Sequence, residues 1–236
     1  MTDPPSIRLD SVEVAFGRTL ALHGVTLDLF PGVTGLFGPN GSGKSTLLSV
    51  LAGLVRPTAG DAQYRGRPIR ASDEEWRRHV GYAGHEPGLY PTLTVTENLE
   101  LWAQLFDAPR RRVEEMIERL GLGDRRKTHV RSLSAGYKRR ASVARALLHE
   151  PAVLLLDEPY ANLDDDAAAE VSAAVVDWRS PDRIAVIATH GAKKVKAYAD
   201  AGIILKQGQV VSYRRGARQL AAPVASASGP MRPAAP

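Results

Sequence analysis

The sequence predicts an α/β chain built on a mostly parallel sheet core, with an N-terminal antiparallel β portion and an inserted helical subdomain. Three observations lead there. Residues 153–156, 184–188 and 202–205 are unbroken apolar runs, as expected of strands covered on both faces of a parallel sheet. Asp165–Trp178, between the first two runs, reads as a helix and completes a strand–helix–strand unit. From Glu86 to about Arg131 the texture turns helical, with apolar residues at helical spacing over 96–106 and 111–120 and breakers at Pro109 and 121–123.

The other elements follow in order. Residues 7–15 and 25–30 alternate as two strands around a turn at Gly17 and Arg18. Residues 33–37 form a compact β-rich run that stops at Gly38, and 45–54 has helical character until the breakers at Gly53 and Pro57. Strand character returns at 62–64 and 80–82, and 134–149 reads as a helix stopped by Pro151. One domain over 1–220 is expected, with 86–131 as its helical insert. The Ala/Pro/Ser-rich stretch 221–236 has the composition of a disordered tail.

The chain has 236 residues, 44% apolar and 24% charged, an ordinary globular composition. With no cysteine, disulfides and thiolate metal sites are excluded, and a reducing cytoplasm is the expected compartment. The N-terminus has neither the basic start nor the apolar stretch of a signal peptide, and no apolar run is long enough to cross a bilayer. A membrane role would therefore run through a partner. The net charge of +5 is spread over short clusters at 110–112, 125–127, 138–140, 193–194 and 214–215. Without a basic stripe these read as solvated faces, and no nucleic-acid partner is expected.

Two segments carry phosphate chemistry. The run GPNGSGKST comprises Gly38, Pro39, Asn40, Gly41, Ser42, Gly43, Lys44, Ser45 and Thr46, and matches the P-loop pattern. Its glycines let backbone N–H groups turn inward around a polyphosphate, and the helix that follows adds its positive end. Lys44 is placed to reach the β- and γ-phosphates, and the Ser45 hydroxyl to ligate Mg2+. A glycine-rich turn that merely opens a helix is the simpler alternative; the strand before it and the Lys-Ser after it favour the phosphate cradle. In VLLLDEP, a buried strand ends in acids at the carboxyl edge of the sheet. Asp157 is expected to hold magnesium through its water shell, and Glu158 is the general-base candidate. The competing reading, an acidic N-cap for the next helix, is opposed by Pro159 and the strand.

The segment LSAGYKRR resembles the ABC signature sequence, with Ala135 where most members have Gly and Tyr137 where they have Gln. A helix start that exposes Ser134 and the N–H groups around Gly136 suits a γ-phosphate. The resemblance covers roughly residues 7–213 and implies a P-loop NTPase of the ABC ATPase type. It further implies that this phosphate belongs to nucleotide held by a second copy, so that a homodimer sandwiches two ATP. In the family's order Phe16 matches the aromatic that stacks on adenine, Asp164 the aspartate bridging subunits, and His190, after Thr189, the switch histidine contacting the γ-phosphate. His85 stands where the family normally has a glutamine that senses magnesium. An imidazole still offers a nitrogen to water or metal.

The resemblance also implies an ATPase that powers a separate transmembrane permease, peripheral on the inner face of the cell membrane. The wording GHEPGLYPTLTVTENL, the Ala in LSAGYKRR, and DEPYANLD look like ATP-binding subunits of the haem exporter used in cytochrome c maturation. Similar wording occurs in two-component exporters of drugs, polysaccharides or other cargo. The short span between Lys44 and Ser134 leaves no room for the coiled coils of chromosome-maintenance relatives, and one cassette argues against a translation factor.

Overall fold

A hairpin opens the chain. Strands β1 (Ile7–Phe16) and β2 (Thr19–Leu29) pair antiparallel across Gly17 and Arg18, with Gly17 at φ 60°. The second strand starts well before the expected residue 25, because the hairpin continues through register shifts around Val12 and Val14 that break simple alternation. The computed structural model describes residues 6–70 and 72–216. The 221–236 stretch lies outside the described residues.

Strand β3 (Gly32–Phe37) leads through the glycine-rich loop into helix α1 (Lys44–Leu51). Strands β4 (Ala59–Tyr64) and β5 (Arg67–Pro68) complete a sheet of order β2-β1-β4-β5, antiparallel throughout. Helix α2 (Glu74–His79), capped by Asp73, runs directly into β6 (Val80–Ala83). The helical insert follows as α3 (Val95–Leu105), opened by a Thr94/Glu97 capping box, and α4 (Arg111–Arg119). Then come α5 (Ala135–Leu147), β7 (Val153–Asp157), α6 (Asp165–Trp178), β8 (Ile184–Thr189), α7 (Ala192–Lys196), β9 (Ala201–Lys206) and β10 (Gln209–Arg215). Reading by pattern missed β5, α2, α7 and β10, the first three of which are too short to display a period.

The larger sheet has the order β10-β9-β3-β8-β7-β6, parallel except for the β9–β10 hairpin. Its central strands feed two cores. On β7, Leu154 and Leu156 pack with the helices α3 to α6, whereas Val153 and Leu155 pack with α1 and the antiparallel sheet. Strand β8 divides in the same way, with Ala185 and Ile187 on one side and Ile184, Val186 and Ala188 on the other. Alternate side chains meet different apolar layers, so the interior positions of β7 and β8 are apolar on both faces, and the polar Asp157 and Thr189 come only at their last residues. Helix α5 shares the core of α3 and α4, and also lies against β6. There a Cβ on Gly81 would stand 2.0 Å from the Ala146 carbonyl oxygen, so only glycine admits the helix at that distance.

The order of strands sets the site. Strand β8 lies between β3 and β7, and Ala188 is in register with Leu36 on one side and Asp157 on the other. Three segments far apart in sequence therefore leave the sheet at one carboxyl edge: the loop after Phe37, the acids at 157–158, and Thr189-His190. Ala83 pairs with Leu156, which brings the β6 exit and His85 to the same edge.

Candidate functional site at the carboxyl edge of the central sheet

The glycine-rich loop is shaped by close backbone approaches. Gly38, Gly41 and Gly43 have φ of 155°, 74° and 101°. A Cβ on Gly43 would come within 2.7 Å of the Ala21 carbonyl oxygen, and one on Gly38 within 2.2 Å of that of Leu205. Both positions thus require glycine for conformation and for space. Behind the loop, the Gly208 N–H donates to the Ser42 carbonyl (3.0 Å), while the His23 N–H donates to Gly208 (2.9 Å). Gly208, in the β9–β10 turn, is a supporting residue that sequence reasoning missed; a Gln-Gly turn dipeptide was the available signal.

Helix α1 has Gly43 as N-cap, so no side chain satisfies the N–H groups of its first turn. Lys44 is only 6% exposed, and its ammonium donates to the carbonyls of Gly38 (2.8 Å) and Pro39 (3.1 Å). The Pro39 carbonyl also accepts from the Ser42 N–H (3.2 Å). Asn40, Gly41 and Ser45 are exposed and Thr46 is half-buried. The loop therefore offers an anion a lysine ammonium and the positive end of a helix. Phe16, at the end of β1, is 55% exposed. That is open ring surface on the hairpin whose second strand backs Gly43.

Asp157 is 4% exposed at the last position of β7. Among the described residues, no hydrogen-bond donor meets its carboxylate. Glu158 leaves the strand at φ 49°, anchored by its N–H to the Ala188 carbonyl (2.8 Å). Its carboxylate is held from β8: Oε2 accepts from Thr189 Oγ1 (3.0 Å), and Oε1 from the His190 N–H (2.8 Å). His190 Nδ1 lies 3.0 Å from the same Oε1. The ring itself is exposed, open to a further partner. Thr189 is a positioning partner that the sequence did not single out.

Ser134 caps α5 by accepting from the Tyr137 N–H (3.4 Å) and is exposed. A Cβ on Gly136 would stand 2.8 Å from the Asn162 carbonyl oxygen, so the signature turn is seated on the segment that follows Glu158. Asp164 caps α6 through the Ala167 N–H (2.8 Å), a structural duty beside the bridging one that the resemblance implies. Helix α1 packs on β2, β7 and β8, whereas α5 packs on α3, α4, α6, β6 and β7. The loop, Asp157, Glu158 and His190 thus share the edge formed by β3, β8 and β7, whereas Ser134 and Gly136 open α5, which packs with the helical insert. His85 is exposed, two residues beyond the β6 residue that pairs with Leu156.

The sequence profile of the ABC transporter family matches residues 22–161. The cytochrome c biogenesis ATP-binding export protein CcmA of Cupriavidus necator is 38% identical over 191 residues, covering 80% of this chain and 84% of that protein. The lipoprotein-releasing system ATP-binding protein LolD of Maricaulis maris is also 38% identical, over 78% of this chain and 87% of that one. Among solved structures, the dimeric post-hydrolysis ATP-binding cassette MJ0796 bound to ADP and Pi superposes with a TM-score of 0.80 at 26% identity, covering 89% of this chain and 98% of that chain. Profile, relatives and fold agree with the edge described above: the chain belongs to the ABC transporter family, as an ATP-hydrolysing subunit.

Proposed function

We propose that two copies of this chain bind two ATP head to tail and hydrolyse them to drive a separate membrane permease. Each site would take Phe16, Lys44, Ser45, Asp157, Glu158 and His190 from one copy, with Ser134 and Gly136 from the other. The observation that carries this reading is the placement of Ser134 and Gly136 on a flank apart from the glycine-rich loop: a second copy completes the site. The dimeric state of MJ0796 supports the same arrangement.

An almost buried carboxylate without a protein donor, together with the exposed Ser45 hydroxyl, is an oxygen donor set that fits a hard divalent cation. Asp157 and Ser45 would hold Mg2+, with His85 near its water shell. When bound, Mg2+ neutralises charge on the β- and γ-phosphate oxygens. Phe16 stacks on adenine, and the loop N–H groups with Lys44 orient the polyphosphate. Glu158, held in one orientation by Thr189 and His190, takes a proton from water as its oxygen bonds to the γ-phosphorus. The bond to the bridging oxygen breaks, and ADP and phosphate leave. The exposed ring of His190 would contact the γ-phosphate.

The permease would dock in a groove between the nucleotide core and the helical insert. It is lined by Leu54, Arg77 and Val80 on one bank and by Trp102, Phe106 and His149 on the other. Leu54 on the first bank is 60% exposed, and Leu105, which lies between Trp102 and Phe106 in sequence, is 56% exposed, apolar surface suited to a partner helix. Among the described residues, no helix is long and apolar enough to cross a membrane. For cargo, the wording around His85 and the identity to CcmA support the haem-exporter type. Equal identity to LolD favours lipoprotein release as the second reading.

Capture of the Glu158→Gln protein with ATP from detergent-solubilised native membranes tests both levels. The variant should form an ATP-dependent dimer with hydrolysis nearly abolished, and bring down a small multi-span permease with cytochrome c maturation proteins. A variant that stays monomeric in ATP would sink the two-site scheme. A permease for other cargo would leave the motor and replace the haem reading.

A further inference from the structure

Arg139 is the one side chain of α5 that meets both the β6 exit and the β7 exit. Its Nη1 donates to the Gly84 carbonyl (2.8 Å) and to the Asp157 carbonyl (3.2 Å). Gly84 immediately precedes His85, and Asp157 immediately precedes Glu158. The guanidinium is half-buried. Burial pushes it below the ordinary arginine value, opposed by attraction to Asp157 and then Glu158. It therefore spends desolvation to stand beneath the acids that the reaction uses.

Helix α5 is a stiff connector. Its N-terminal turn carries Ser134 and Gly136, and Arg139 follows within about 8 Å along the axis. Farther along, Arg145 donates to the Tyr82 carbonyl, and the Ala146 carbonyl abuts Gly81. At the other end Gly136 is pressed on Asn162. The helix that offers its tip to the partner's nucleotide is thus hydrogen-bonded, a turn and a half later, to the loops holding its own chain's acids.

We propose that Arg139 is a positioning residue, transmitting engagement of Ser134 and Gly136 by the partner's nucleotide to Asp157, Glu158 and His85 of the same chain. One donor shared between two carbonyls keeps the two exits in fixed relation to each other and to the helix. When α5 shifts on dimer closure, both loops shift with it. ATP-driven dimerisation and alignment for hydrolysis are then separable steps, and Arg139 belongs to the second. This rests on the two-copy site proposed above.

The test compares wild type, Arg139→Met and Arg139→Lys for kcat and KM, and for melting temperature without nucleotide. ATP-dependent dimerisation is measured for Arg139→Met and its parent in the Glu158→Gln background. Arg139→Met should lose about tenfold in kcat, with KM within about twofold and the ATP-dependent dimer retained. Arg139→Lys, still charged but with a single ammonium, should recover part of kcat. Hydrogen exchange of nucleotide-free Arg139→Met should rise in peptides spanning 84–90 and 156–160 together. An unchanged kcat in Arg139→Met, alongside an active wild type, would overturn the proposal and leave the dimer reading standing. Loss of dimerisation in step with kcat and melting temperature would overturn it too, making Arg139 a structural strut; should Arg139→Met not fold, the kcat and KM of Arg139→Lys decide. If wild type neither hydrolyses ATP nor dimerises, the underlying reading falls first.

Discussion

The hold on Glu158 gives the most direct test of the site, through Thr189→Val. Thr189 is buried at the end of β8, and its hydroxyl donates to Glu158 Oε2 (3.0 Å) while accepting from the Gly191 N–H (3.0 Å). Valine preserves the branched shape and removes both bonds. A hydrogen bond to a charged acceptor contributes about 1.5–3 kcal/mol, more than a neutral one. Gly191 is exposed, so water replaces that bond at little cost. The extra methyl group offsets about 0.8 kcal/mol. The net expectation is a loss of about 1–2 kcal/mol, which for a domain of this size lowers the melting temperature by roughly 3–6 °C. In catalysis Glu158, the proposed base, keeps the bond from the His190 N–H but loses the one from Thr189. A correctly placed base is worth about 10²–10⁴, so a tenfold fall in kcat, with KM little changed, is the expected share. Thermal melts without nucleotide and steady-state ATPase assays read the two effects separately, and Thr189→Ser should retain most of both. Melting within about 1 °C of wild type together with an unchanged kcat would refute the claim that Thr189 orients Glu158.

Two further outcomes follow from packing. His149 stacks on Phe106 with centroids 4.1 Å apart, and burial first, then Arg145, push its pKa down from 6.5 to about 4. Between about pH 4 and 6.5 the unfolded chain therefore binds the proton that the folded chain refuses. Stability from this group is complete above about pH 6.5 and falls by up to about 1.4 kcal/mol per unit as pH drops, roughly 3 kcal/mol by pH 4. Denaturation of His149→Phe from pH 4.5 to 7 should show a shallower acid slope than wild type, and equal slopes would count against a buried neutral ring. Gly81→Ala would drive a Cβ to 2.0 Å from the Ala146 carbonyl oxygen and 2.7 Å from the Pro151 ring, whereas Gly123→Ala meets nothing within 4 Å. The first should destabilise by about 1–3 kcal/mol or more and the second by less than about 0.5, so equal urea midpoints would refute the close approach of α5 to β6.

Sequence alone determined the pieces whose meaning is local. A glycine-rich turn ending in Lys-Ser, a strand closing on two acids and a serine opening a basic helix each state their chemistry in consecutive residues. Helix α6 could be read to its bounds because Asp164 caps it and its buried positions recur at helical spacing. The apolar runs at β7 and β8 likewise announced strands covered on both faces. What sequence could not state was which of these pieces meet. That Asp157 and Leu36 both register with Ala188, that Thr189 and His190 hold Glu158, and that Arg139 bridges Gly84 and Asp157 are contacts between segments up to 152 residues apart. Such pairings depend on strand order and on the close seating of α5, which the whole chain's burial decides rather than any local preference. Short elements were lost for the same reason: the five residues of α7 have too little period of their own, and are held by what packs around them.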